Sequence, residues 1–274
     1  MGHQALQRVS MRMLFDPKFA AQVYAAPDES LAGLEISSEE RGWLLDVDPR
    51  AWTVDHERGP RTLRKLFDEF KGSTTLALSQ TRSLASLQGF FQSTHFHEAV
   101  QQRGSLAQGY AVFLGELSSD PLVAQVASLE WMQARCRREL ELCPRLHGMQ
   151  TDWVVRAAGV DAAEFDGATL DALNSAEQAL FALSLVPAAG LADDAPRPAS
   201  VQPAPQTPLH LVARPIDGQV RLVSLGRMAC LALLALEHPM PVAEAQARIS
   251  ALGLDMDRAG GLLSGLIQEG LVQT

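Results

Sequence analysis

Apolar residues recur at spacings of three and four through the first two thirds of the chain, a period that predicts a body built from helices. Thr62 to Phe70 places Leu63, Leu66, Phe67 and Phe70 on one helical face. Leu76 to Phe91 reads as a longer helix with Leu84, Leu87 and Phe91 on one side. Two more helices are expected over Leu106 to Leu117 and Leu122 to Leu142, separated by Ser118-Ser119-Asp120-Pro121. Pro121 suits the first turn of the second, where no helical hydrogen bond is lost, and Asp120 suits its N-cap. Ser37-Ser38-Glu39-Glu40 reads as a capping box, in which hydroxyl and carboxylate each satisfy an orphan amide. The helix it opens carries Trp43, Leu44 and Leu45. Ser175-Ala176-Glu177-Gln178 reads as a second box, opening a helix through Leu185.

The pattern changes near the carboxy terminus. Leu209 to Leu225 holds two β-type runs joined by Ile216-Asp217-Gly218, and Asp-Gly is a strong hairpin turn because glycine accepts a positive φ without steric cost. In the second run Val220, Leu222 and Ser224 alternate with Arg221, Val223 and Leu225. Helices follow over Arg227 to Glu237, Val242 to Leu252 and Asp255 to Glu269, with Pro239 and Pro241 ending the first and Asp255 capping the third. Gly270 closes the third helix, and Leu271-Val272 returns as a short strand. Six of the fifteen prolines fall between Pro187 and Pro208, which marks a semi-rigid linker. The expected fold class is therefore mainly α: a helical body over 1–186, the linker 187–208, and a small α+β winged-helix-like domain over 209–274. A hairpin with three helices binds either DNA or a peptide laid along its sheet edge.

Composition narrows the choice. The chain has 274 residues, of which 47% are hydrophobic and 20% charged, as in ordinary globular proteins. No apolar run approaches the roughly 18 to 20 residues that span a bilayer. Met1 to Arg12 lacks the apolar core of a signal peptide, so a cytoplasmic location is expected. The net charge of -9 opposes a phosphate backbone, and only Lys18, Lys65 and Lys71 among the 23 basic residues are lysines. The third tail helix sets a single Arg258 against Asp255, Asp257 and Glu269, a poor match to a major groove. Cys136, Cys143 and Cys230 are odd in number and form no Cys-x-x-Cys pair. Cys143 and His147 have a metal-compatible spacing, but Pro144 spoils its helical regularity and no second pair follows. His95 and His97 flank Phe96 and read as polar residues at a helix start. No phosphate loop, dinucleotide fingerprint, nucleophile elbow or His-Glu-x-x-His is present.

Three stretches carry resemblances. Phe96-His-Glu-Ala-Val100, Leu106-Ala-Gln-Gly-Tyr110, Phe113-Leu114 and Val126-Ala-Ser-Leu-Glu-Trp131 resemble a helical family often labelled a DNA-binding domain, whose members usually sit beside genes for multinuclear non-haem iron-dependent oxidases. The match covers roughly residues 75 to 140, and the region from Cys143 to Phe181 departs from it. Leu14-Phe-Asp-Pro-Lys-Phe19 and Ile36-Ser-Ser-Glu-Glu40 resemble a small helical module found with extradiol dioxygenases and in some peptide-modification proteins. The tail resembles the peptide-recognition elements of ribosomal-peptide biosynthesis, whose prototype is the peptide chaperone of pyrroloquinoline quinone synthesis. Gly226, the helix Arg227 to Glu237 and Leu266-Ile-Gln-Glu-Gly-Leu271 carry that likeness. Together they resemble the non-catalytic partner of an iron-dependent oxidase acting on a ribosomally made peptide, most nearly the partner in 3-thiaglutamate biosynthesis. The resemblance implies that the oxidase excises a carbon from a carboxy-terminal Cys on a carrier peptide. It also implies that the iron belongs to the oxidase, with no cofactor in this chain. The implied partners are the oxidase subunit and the peptide's leader, with no nucleic acid or membrane.

Strand addition is the physical mechanism expected of the tail: the leader pairs with an exposed hairpin strand while alternate side chains enter a groove against the third helix. The candidate groove residues are Leu211, Val212, Ala213 and Arg214 on the first strand, with Leu262, Leu263, Leu266 and Ile267 on the helix. Taken singly, each leucine reads more readily as core, and Arg214 as a solvated edge residue. Trp131 and Arg135, four apart on one helix, are the candidate oxidase contacts, since Trp and Arg are enriched at interface hot spots. Two other functions remain open. A winged-helix DNA-binding regulator would use Asp255 to Glu269 as its recognition helix. An enzyme centred on the body would draw on Glu130, His95, His97 and Asp120 as acid and base groups.

Overall fold

The helical part begins with a run of short, individually capped helices. A computed structural model of the chain describes residues 3–55, 57–102, 104–142, 152–183 and 207–274. α1 (Gln4–Phe15), α2 (Pro17–Ala25), α3 (Pro27–Ser30), α4 (Ser38–Asp46) and α5 (Pro49–Thr53) come first. Asp16 ends α1 and caps α2, its Oδ1 accepting the Phe19 N–H at 3.0 Å. The Ser37 box forms as expected: Glu40 N–H donates to Ser37 Oγ at 3.1 Å, and Ser37 N–H donates to Glu40 Oε2 at 2.9 Å. Val9, Met13, Phe19, Val23, Leu31 and Leu44 make a small core under these helices. Over it the Trp52 indole N–H donates to the Tyr24 hydroxyl at 2.8 Å.

α6 (Arg58–Glu69) and α7 (Lys71–Thr81) follow, then α8 (Leu84–Gln88), a 3-10 turn (Gly89–Gln92), α9 (Thr94–Gln101), α10 (Leu106–Leu117) and α11 (Pro121–Leu142). The single helix expected over Leu76 to Phe91 is thus divided. Arg82 takes a left-handed φ of 51° and closes α7 on the Leu78 carbonyl, and the Ser83 hydroxyl caps α8. The helix expected from Thr62 starts earlier, at Arg58, with Pro60 in its first turn, where proline loses no hydrogen bond. Breaking the chain at Arg82 lets Phe90 and Phe91 turn inward, where they meet Phe96 and Tyr110 edge to face at ring separations of 5.1 to 5.4 Å. The buried Tyr110 hydroxyl lies 3.2 Å from Thr74 Oγ1, which satisfies both. Asp120 caps α11 as expected, accepting the Leu122 N–H at 2.9 Å.

β1 (Trp153–Arg156) and β2 (Asp161–Phe165) lie in the region whose structure the sequence patterns left open. α12 (Thr169–Leu183) follows a turn in which the Ala168 N–H donates to Asp166 Oδ1 at 2.8 Å. Ser175 therefore sits inside a helix and opens none; the predicted second box is not a cap. Next come β3 (Leu209–Ile216), β4 (Gln219–Ser224), α13 (Arg227–Ala235), β5 (Met240–Pro241), α14 (Val242–Ser250), α15 (Met256–Gln268) and β6 (Val272–Gln273). The expected hairpin, three helices and returning strand are all present. Asp217 and Gly218 have φ of 53° and 75°, the pair of positive angles a type I′ turn needs.

The strands form two three-stranded antiparallel sheets, ordered β2-β3-β4 and β5-β1-β6. The chain is thus mainly α with a smaller α+β part, as expected. It divides into two compact units, Met1–Ala127 with Leu173–Ser200, and Ser128–Ala172 with Val201–Thr274. The tail does not stand alone as a 209–274 domain, because β1 and β2 supply a strand to each of its sheets. The predicted linker lies outside the described residues except for Thr207 and Pro208. The core of the second unit gathers Val154, Val160, Val212, Leu233, Ile249 and Leu263 from both sheets and all three tail helices.

One turn in this unit is a specific point of strain. Gly159 has φ of 73°, and a Cβ there would stand 2.6 Å from the Leu140 side chain. Gly159→Ala should lower stability by about 1 to 2 kcal/mol, from the left-handed angle and the displaced leucine, in a denaturant titration. No helix among the described residues is long and apolar enough to cross a membrane.

Candidate functional site: an open sheet edge

The register of the β2-β3-β4 sheet decides which strand can accept a further one. β3 pairs with β2 through Asp161↔Ala213 to Phe165↔Leu209, and with β4 through Leu211↔Ser224 to Ile216↔Gln219. Leu211, Val212 and Ala213 are paired on both sides, and Arg214 is paired with Arg221 of β4. The expectation that Leu211, Val212, Ala213 and Arg214 offer an exposed rail is therefore corrected: β3 is the central strand. Leu211, Val212 and Ala213 are 2%, 0% and 0% exposed and belong to the interior. Arg214 is half-buried, and its guanidinium donates to the Glu269 carbonyl at 2.6 Å and reaches the Glu269 carboxylate at 3.5 Å. That contact ties the central strand to the end of α15.

The open edge belongs to β4. Leu225 N–H donates to the His210 carbonyl at 3.0 Å, so Leu225 turns its backbone groups toward β3. Antiparallel ladders alternate residue by residue, so Val223, Arg221 and Gln219 do the same. Val220, Leu222 and Ser224 then point their N–H and C=O groups outward, and no strand among the described residues pairs with them. The opposite edge is different. On β2 the outward residues are Ala162 and Glu164, and the Ala162 N–H is already bonded to Asp161 Oδ1 at 3.0 Å. A protein protects an edge by occupying its donors, and here only the β2 edge is treated so.

Side chains flank the β4 edge on both faces. Val223 lies opposite Val212, whose side chain is in the helix-side core, so Arg221, Val223 and Leu225 share that face. Arg221 is exposed and stands directly across from Arg214, which gathers positive charge at the hairpin. On α15 the predicted residues divide. Leu263 and Leu266 are buried core, whereas Leu262 and Ile267 are half-buried against the same cluster that Leu225 joins. Sequence reasoning missed Val220, Leu222 and Ser224 as backbone ligands. Their alternation was visible, but their role depends on β2 taking the far edge of β3.

The other candidate groups have local partners. Arg135 pairs with the buried Asp161 carboxylate. Burial opposes its charge, but the Asp161 carboxylate with Glu139 adding to it outweighs burial, so its pKa lies above the usual value. Asp161 also receives Arg156 Nη1 at 3.0 Å. Trp131 is half-buried with the Arg138 guanidinium 5.6 Å over its ring. His95 bonds Glu116 at 2.8 Å. His97 is held below its ordinary pKa by burial and by Arg8 and Arg12. Asp120 is a cap and Glu130 is buried. Arg258, the one cation of α15, lies 3.4 Å from Asp255. Among the described residues no group of three or more His, Cys, Asp or Glu could hold a metal ion. Cys143 and His147 lie outside the described residues.

The two described cysteines are buried. Burial, with Asp161 and Glu139 adding to it, pushes the Cys136 thiol up to about 12, and burial also raises Cys230. A thiol so disposed is a poor nucleophile. At pH 8 both should resist a disulfide reagent in the native protein and react once urea unfolds it, a contrast that mass mapping of the labelled peptides reads directly. No family model and no curated protein sequence matches the chain.

Proposed function

We propose that this chain is a non-catalytic partner of an iron-dependent oxidase, and that its second unit holds the leader of a ribosomally made carrier peptide for modification at a carboxy-terminal Cys. The observation that carries the reading is the open β4 edge. Three outward residues offer three amides and three carbonyls in a row, and an extended peptide satisfies such a row as an added strand. Each bond contributes about 1 kcal/mol net, so backbone pairing supplies affinity tolerant of leader sequence. Arg221 beside the edge favours an acidic segment, and Leu225 and Leu262 offer apolar contact for alternate side chains. The tethered peptide is then present to the oxidase at an effective concentration in roughly the millimolar range.

The iron chemistry belongs in this reading to the oxidase subunit; Trp131 remains a candidate contact, carried by the second unit and not by the unit of residues 1–127. Arg135 is a weaker one, because its guanidinium already answers a buried carboxylate. The DNA-binding alternative gains nothing from α15, whose single arginine is next to an aspartate.

The test is co-purification of this chain with an oxidase encoded beside it, followed by titration with a synthetic leader from the neighbouring precursor gene. The expected outcome is a stable complex and saturable leader binding. Failure to capture either overturns the proposal. Removing residues 205–274 is not a clean variant, since β1 and β2 would lose every partner strand; point changes on β4 are.

A further inference from the structure

The helical unit contains a cavity of about 580 Å³ that the peptide-docking reading does not use. Its size falls within the range that takes one small organic ligand. Phe15 and Phe91 stack at 4.9 Å and form one wall. Trp52, whose ring is fixed by its bond to Tyr24, and Leu63 form others. Pro17 and Pro60 add surface that carries no backbone donor.

The charges around this apolar space are unequal. Asp16 is committed twice, to the Phe19 amide through Oδ1 and to the Gln92 side-chain amide through Oδ2 at 2.9 Å. Asp55 pairs with Arg61 and lies 3.7 Å from Arg58. Both carboxylates are thus answered from within the protein. Lys18 and Arg64 also line the cavity, and neither has a hydrogen bond or ion pair among the described residues. An apolar slot whose acids are neutralised and whose bases are free is complementary to an apolar anion. We propose that this cavity binds a small carboxylic acid with an aromatic or branched apolar tail, its carboxylate meeting Lys18 and Arg64 and its tail lying against Phe15, Phe91 and Trp52.

The probes are 3-phenylpropionate, its neutral counterpart 3-phenylpropanol, and N-acetylglycyl-phenylalanine, each titrated against the full chain by ligand-observed NMR and calorimetry. The acid should bind saturably, and the alcohol about tenfold more weakly or worse, the ratio expected for losing one hydrogen bond to a charged group. The Lys18→Gln, Arg64→Gln double variant should bring the acid down to the level of the alcohol. Both side chains are exposed, so the fold should be unaffected. Ala85→Phe fills the cavity from an exposed helical position and should remove binding of both small probes, with an unchanged circular dichroism spectrum. The proposal is overturned if the acid does not saturate, if acid and alcohol bind equally, or if Ala85→Phe leaves binding intact. Tighter binding of the acetylated dipeptide than of 3-phenylpropionate would overturn the small-molecule assignment in favour of a chain terminus.

Discussion

Leu222→Pro will weaken leader binding at least tenfold while leaving the second unit folded. Proline removes the Leu222 N–H, and in the register of the hairpin that donor points away from β3. Sheets tolerate proline on an edge strand when the lost N–H faces outward, so no bond inside the sheet is broken. An added strand, by contrast, loses a central hydrogen bond and meets the pyrrolidine ring where it must approach. One such bond with its desolvated partner accounts for about 1.4 kcal/mol or more, which is tenfold in affinity. Two companions separate the causes. Leu222→Ala keeps the N–H and reports only the half-buried side chain, and its effect on binding should be smaller. Val223→Pro strikes a donor directed at β3 and should lower the melting temperature of the free protein. If Leu222→Pro binds the leader as well as the parent, the β4 edge is not where the peptide sits. Arg221→Glu extends the test to charge, and it should slow association with an acidic leader most at low salt.

Local chemistry made some elements readable in advance. Asp217-Gly218 specified a type I′ turn because few residue pairs accept two positive φ angles, and Ser37 with Glu40 specified a cap because both halves of the bond lie three residues apart. Elements set by distant partners were not readable. β1 and β2 are four and five residues long, and each is defined by strands from the tail. Without β2, β3 looks like an edge strand, and nothing in the sequence marks it as central. Ser175 had the letters of a capping box, yet the helix had already begun at Thr169. Arg82 is a non-glycine residue in the left-handed region, a conformation its sequence does not announce. The sequence thus named the central strand of the sheet as its edge, for the single reason that pairing is not local.

Asp161→Ala will destabilise the second unit by about 3 to 5 kcal/mol, the range for breaking a buried ion pair from one side. Asp161 is 5% exposed and faces two guanidinium groups, Arg135 on α11 and Arg156 at the end of β1. It also occupies the outward N–H of Ala162. Its removal leaves Arg156, whose side chain is only 9% exposed, with the Glu237 carboxylate at 3.8 Å as its remaining partner. It also reopens the β2 edge. Two effects should therefore appear together: a lower denaturant midpoint, and self-association at concentrations where the parent is monodisperse, because an unprotected edge invites pairing. Asp161→Asn separates them. The amide oxygen can still accept from Ala162, so the edge stays closed while the charge is lost, and this variant should lose stability without gaining association. If Asp161→Ala matched the parent in both respects, the carboxylate would be neither the counter-charge of this network nor the guard of the β2 edge. The distinction between one guarded edge and one open edge would then lose its physical basis, and with it the reason for choosing β4.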